Sequence, residues 1–178
     1  MRIQKYSSGC LLSALITVLA AGCADTDVLS GGKERIEITA ETAPCSQAGS
    51  RSQIDEAGST AGVTGILWSV DDQIGVFGKS TVNAPFEGTH TEPAATATFT
   101  GEVTSGDTPL HAYYPYREDA TDAAAIPVTV AVEQYWTGAA SISDNDIKAS
   151  STVTRRGDSW HFAFRPMVAM LRFEVDAS

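Results

Sequence analysis

Side chains able to do chemistry are few in this 178-residue sequence, and their spacing serves no reaction. His90, His111 and His161 stand apart, with no second histidine or cysteine at metal-ligand spacing, so no metal site is expected. Asp71-Asp72 is a pair of adjacent carboxylates, but neighbouring residues of an extended chain point to opposite faces, which defeats joint acid–base work. Gly78-Lys79-Ser80 has the ending of a phosphate-binding loop, yet the first glycine of that loop would fall on Gln73. A Gly-x-Ser-x-Gly nucleophile elbow does not occur. Asp144-Asn145-Asp146 opens like a calcium loop and lacks the following glycine and closing glutamate, so it reads as a turn. Arg156-Gly157-Asp158-Ser159 contains the tripeptide that integrins bind, and the same residues make an ordinary hairpin tip in which glycine supplies the backbone freedom. The expectation is no catalytic residue, no cofactor and a non-enzymatic protein.

One thiol is placed for chemistry. Arg2 and Lys5 give a basic start, and Cys10–Ala21 is an apolar stretch of 12 residues. As a helix it would span about 18 Å, well short of a bilayer core of about 30 Å, which describes a secretory signal rather than a membrane span. The stretch ends in Leu19-Ala20-Ala21-Gly22-Cys23, which resembles the lipobox of bacterial lipoproteins. Small side chains there let a peptidase approach the backbone, and Cys23 supplies the sulfur of the lipid thioether. A plain secretory signal cleaved after Ala21 or Gly22 is the other reading. On the lipoprotein reading, residues 1–22 are the signal peptide, Cys23 is lipidated, and residues 23–33 are a polar tether. Cys10 leaves with the signal and Cys45 is then the sole free thiol, so no internal disulfide can form.

Composition bounds the rest. Hydrophobic residues make up 43% and charged residues 19% of the chain, enough for a buried core and against disorder. The net charge is −10, and loss of Arg2 and Lys5 with the signal makes it −12. That balance repels phosphate backbones, which excludes nucleic acid as a partner, and disfavours electrostatic adsorption to anionic lipid. Attachment to a membrane has to come through Cys23.

After Cys23 the hydrophobic period is two, not 3.6. Ile36, Ile38 and Ala40 share a face in Glu34–Thr42. Ala95, Ala97, Phe99, Gly101 and Val103 alternate with threonines and a glutamate, and Ile126, Val128, Val130 and Val132 alternate with smaller or polar residues. Trp160, Phe162 and Phe164 share a face, as do Ala169, Leu171, Phe173 and Val175. Shorter runs at Val63–Trp68 and Gln73–Phe77 flank a turn in which Asp72 can accept from backbone amides. Gly75 within a strand predicts a bulge or a close approach. Glu41–Gly62 reads as an exposed loop or a frayed first strand. The expectation is all-β, an antiparallel β-sandwich or barrel of about seven or eight short strands over residues 34–178.

Several segments in order resemble the fimbrillin family of bacterial cell-surface lipoproteins. Trp68-Ser69-Val70-Asp71-Asp72-Gln73-Ile74-Gly75-Val76-Phe77 is similar to the family's W-S-x-x-D-x-I-G-V-F, Ala95–Gly101 to its A-x-F-x-G strand, and Ala112-Tyr113-Tyr114-Pro115-Tyr116 to A-Y-Y-P-Y. Gln134-Tyr135, Asp146-Ile147-Lys148-Ala149 and Phe162–Val175 continue the match, which covers roughly residues 51–175.

The resemblance implies a transthyretin-like N-terminal β-sandwich domain of a pilus subunit or pilus-associated adhesin. It implies partners too: other pilus subunits through strand exchange, and the outer membrane through lipid on Cys23. In that family the precursor is trimmed after an arginine near the first strand, and the groove so opened takes a strand from the next subunit. The matching position is Arg51, whose other reading is a solvated loop arginine. Cut there, the chain would lose its lipid and Glu34–Thr42 and belong to a fimbrium; uncut, it would stay anchored and surface-exposed. The family's second β-domain has no counterpart before Ser178, which puts polymerisation by this chain alone in doubt. Tyr113, Tyr114 and Tyr116 read as core and rim packing; their other reading is a candidate contact surface for a host or glycan ligand, the basis of an alternative reading as a lipid-anchored glycan-binding module.

Overall fold

Strands account for all the regular structure that the computed structural model describes, which covers residues 32–42, 53–60, 63–130, 132–133, 135 and 145–168. They are β1 (Lys33–Thr42), β2 (Gln53–Thr60), β3 (Val63–Leu67), β4 (Gln73–Gly78), β5 (Ala84–Gly88), β6 (Thr96–Thr104), β7 (Pro109–Tyr114), β8 (Lys148–Arg156) and β9 (Ser159–Pro166). Seven of them close into one barrel in the order β1-β6-β5-β4-β7-β8-β9, while β2 and β3 pair separately. The all-β expectation holds. The architecture is a barrel rather than a sandwich, because β1 hydrogen-bonds to β6 on one side and β9 on the other and the sheet returns on itself.

The alternation read in β1 and β6 is the alternation the barrel uses. Ile38 and Ala40 of β1 and Ala97, Phe99 and Val103 of β6 face a core shared with Ile74, Val76, Phe86, Phe162 and Phe164. Trp68, at 0% exposure, fills the centre. It meets Phe99, Tyr114 and Phe164 edge-on at centroid distances of 5.2, 5.5 and 5.1 Å, the arrangement aromatic quadrupoles prefer.

Strands β4 and β7 are covered on both faces. Ile74 and Val76 point into the barrel, while Phe77 points outward with Tyr113 to a second cluster capped by Ala120, Ala123 and Ile126. Gly75 is the close approach its position suggested: a Cβ there would overlap the Tyr113 ring. The Tyr113 hydroxyl donates to Asn83 Oδ1 at 2.7 Å and to the Arg117 carbonyl at 3.0 Å, so the ring is fixed where it lies. Register shifts between Phe77 and Gly78, one step further along.

The valine-rich segment departs from expectation. Residues 126–130 form no strand, and Val128 and Val130 are each 49% exposed. Closure consumes the edges of the barrel, so a strand-like sequence there finds no ladder to join. Two strands, β5 and β8, have no counterpart in the sequence reading, and β2 lies within Glu41–Gly62, the segment read as an exposed loop or a frayed first strand.

One loop is held by a single carboxylate. Asp107 accepts from the backbone amides of Lys79 (3.0 Å), Ser80 (3.0 Å), Thr81 (2.6 Å) and Thr108 (2.7 Å), clamping the β4–β5 turn. Burial pushes this carboxyl up, but the Thr81 side chain and the Ser80, Thr108 and Thr81 amides outweigh it and lower it from 3.8 to about 2. A carboxylate depressed in the fold stabilises above its ordinary value and loses that contribution as pH falls toward its folded value. The wild-type chain is therefore expected to lose stability between pH 4 and pH 2 more steeply than Asp107→Asn, read as urea midpoints across that range. Parallel slopes for the two would show that Asp107 holds nothing together.

Candidate functional site

The arrangement with functional content is the seat of β1. Its nine residues Lys33–Glu41 pair antiparallel with Thr104–Thr96 of β6, and Ile38–Thr42 pair parallel with Trp160–Phe164 of β9. Both neighbours lie far along the chain, so β1 is joined to neither by a hairpin. Its alternation does the rest: Ile38 and Ala40 are fully buried, whereas Lys33, Arg35, Glu37 and Glu41 face solvent. Ile38 sits between Phe99 and Trp160, Ala40 between Ala97 and Phe162, and Thr42 beside Phe164. Outer-face contacts are weak, with Lys33 and Glu102 3.9 Å apart in solvent and Arg35 Nη2 donating to Thr100 Oγ1 at 2.9 Å. Nine backbone pairs and an apolar inner row hold β1, and every other strand follows Arg51 in sequence.

Arg51 and Cys23 lie outside the described residues. The connection from Thr42 to Gln53 contains Arg51, so cleavage after it would leave β1 attached by non-covalent contacts alone.

The structure corrects the tyrosine surface. Tyr113 and Tyr114 are each 5% exposed, and both hydroxyls are committed inside the protein. Tyr113 ties Asn83 to the Arg117 carbonyl, with burial raising its phenol above the ordinary value. Tyr114 donates to Asp72 Oδ1 at 2.9 Å. Tyr116 alone is partly open, and one half-buried ring offers no platform for stacking a sugar. Asp72 also accepts from the Ser69 amide at 2.7 Å, as its position in the turn suggested, while Asp71 faces solvent.

A buried polar cluster was not legible beforehand. Lys148 and Asp146 have fully buried side chains and form an ion pair of 2.7 Å. The ammonium lies 3.8 Å from the Trp68 ring centroid and 4.6 Å from that of Tyr114, so two aromatic faces share its charge. Asp146 had been assigned to a turn, and lysine is a residue that strands normally turn outward. The one available signal is the spacing, since residues two apart on an extended segment share a face.

Among the described residues no three histidine, cysteine or acidic side chains gather as a metal site, and no helix is long and apolar enough to cross a membrane. Arg156, Gly157 and Asp158 form the exposed tip between β8 and β9, Gly157 at φ 62° as a tight turn requires. A groove of about 390 Å³ crosses β1, β6 and β5 and is lined by charges of both signs from Lys33, Arg35, Glu87 and Glu102. Comparison with known protein families, curated proteins and solved structures found no match.

The ion pair makes a sharp prediction. Lys148→Met strands a buried carboxylate and is expected to cost about 3–5 kcal/mol, whereas Lys148→Met combined with Asp146→Leu recovers most of that loss. Urea unfolding of the three chains checks it, and a double variant no more stable than the single one would show that the two charges do not act as a pair.

Proposed function

We propose that this chain is a non-enzymatic cell-surface lipoprotein that serves as a pilus subunit or pilus-associated adhesin and assembles by exchange of β1. The observation that supports this reading is the seat of β1: one strand, encoded before Arg51, closes a barrel whose other strands are all encoded after it. Cleavage after Arg51 and departure of β1 would bare the inner edges of β6 and β9 together with the pockets of Ile38 and Ala40. Such a channel takes a strand from a neighbouring subunit by β-augmentation, in which main-chain hydrogen bonds give affinity and the pockets give selectivity.

The segments that resemble fimbrillins fall on the elements that build this body. Trp68–Phe77 supplies the central tryptophan, the Asp72 turn and β4; Ala95–Gly101 is most of β6; Ala112–Tyr116 closes β7. On this reading the precursor is held at the outer membrane by lipid on Cys23, and maturation frees the body for a fimbrium. The glycan-binding alternative drew on the Tyr113–Tyr116 cluster, whose first two rings are interior.

The test is the mass and N-terminal peptide of the protein recovered from the surface of the producing bacterium. Filament-associated chains are expected to begin at Ser52 without lipid, and Arg51→Ala is expected to stay acylated at Cys23 and to be missing from sheared filaments. Filaments that incorporate Arg51→Ala as well as wild type would refute the reading.

A further inference from the structure

The seat of β1 carries a rule for what can replace it, and this inference rests on the strand-exchange reading above. Each inward position of β1 has its own surroundings. Ile36 lies opposite Gly101, where a Cβ would overlap the Phe86 ring and the Pro85 carbonyl, so the space over that glycine belongs to Phe86. Ile38, at 0% exposure, has Phe99 across one ladder and Trp160 across the other. Ala40, also at 0%, sits between Ala97 at 2% and Phe162 at 1%, so at interior packing density added methylenes have to displace these neighbours.

Thr42 is the exception. It is 7% exposed, paired with Phe164, and its Oγ1 is buried with no hydrogen-bond partner among the described residues. A buried hydroxyl left without a partner costs the resident strand binding energy, whereas valine fills the same volume with no polar atom.

We infer that the channel between β6 and β9 selects a strand, donated by another subunit, with bulky aliphatic residues at the first two inward positions, alanine at the third and a β-branched apolar residue at the fourth. The strand runs antiparallel to β6 and parallel to β9, as β1 does. The resident β1 matches this pattern at Ile36, Ile38 and Ala40 and fails it at Thr42, so an incoming strand with valine there displaces it. Exchange thereby has a direction built into a single position. The neutral segment Ile126–Val132 of a second copy shows the discrimination: it offers Val130 where the third pocket accepts alanine, and it is rejected on size.

The experiment uses the full chain purified without its signal, nicked at Arg51 by limited arginine-specific proteolysis and checked by mass. A fluorescent peptide copying residues 32–42 is the probe, competed by the same peptide carrying Thr42→Val or Ala40→Leu. The Thr42→Val peptide is expected to displace the resident strand at about tenfold lower concentration than the copy, and the Ala40→Leu peptide to need at least about tenfold more. In parallel, Thr42→Val in the uncut chain is expected to raise the urea midpoint. A Thr42→Val peptide no better than the copy, or an Ala40→Leu peptide equal to it, would overturn the pocket rule while exchange itself stands. If no peptide enters the nicked chain, the strand-exchange reading falls, and a Thr42→Val midpoint at or below wild type would then overturn the pocket rule by itself.

Discussion

A barrel strand must satisfy backbone groups along both edges, and β1 is where this barrel meets that demand. Without it, β6 and β9 would each present a row of unpaired N–H and C=O groups beside an opened apolar core. Main-chain ladders provide alignment, and the alternating side chains provide burial, so the same nine residues supply both hydrogen bonds and core. That coupling makes β1 difficult to leave out and straightforward to copy, since any extended segment of the right side-chain pattern meets the same requirement.

The rest of the body is reinforced away from that seat. Strands β4 and β7 are packed on both faces, with Tyr113 locked by Asn83 and Arg117 over Gly75. Asp107 gathers the β4–β5 turn through three of its backbone amides. Lys148 and Asp146 fasten the start of β8 beneath Trp68 and Tyr114. A buried ion pair adds little net stability but punishes any packing that separates its partners. These devices involve β4, β7, β8 and the loops among them, none of them β1. They hold the shape of the body without help from β1.

Sequence patterns exposed the elements whose two faces differ most. β1 and β6 alternate cleanly because one side meets the core and the other meets water, and the aromatic face of β9 reads for the same reason. β8, with Ser150, Ser151 and Thr152 beside Thr154, Arg155 and Arg156, is polar over most of its length and is a strand because β9 supplies a ladder. β5 is five residues long and includes Pro85, too short for a period to register. Ile126–Val130 shows the converse, for alternation states what a segment could do and only an available edge makes it a strand. The burial of Lys148 was not legible because it depends on two rings brought from β7 and the Trp68 bridge, which a local window does not contain. Tyr113 and Tyr114 were legible as aromatic rings fit for core or rim, but their covers are distant in sequence: Ala120, Ala123 and Ile126 beside Tyr113, and the barrel core around Trp68 for Tyr114.

The two seams of β1 are unequal, and on the strand-exchange proposal the inequality would set the order in which the strand leaves. Its contact with β6 runs the full nine pairs and is antiparallel; its contact with β9 covers five pairs and is parallel, the slightly weaker arrangement. Lys33–Glu37 therefore has a ladder on one edge only, and its outward Lys33, Arg35 and Glu37 are the charges that keep such an edge from recruiting chance partners. Separation from β9 costs fewer hydrogen bonds and exposes Trp160 and Phe162 first. Ile38 and Ala40 then lose one wall of their pockets while β6 still holds them. On the strand-exchange proposal, an incoming strand in the same orientation would meet a β9 edge already free while the old strand remains on β6, and exchange would proceed pair by pair without the barrel ever standing fully open.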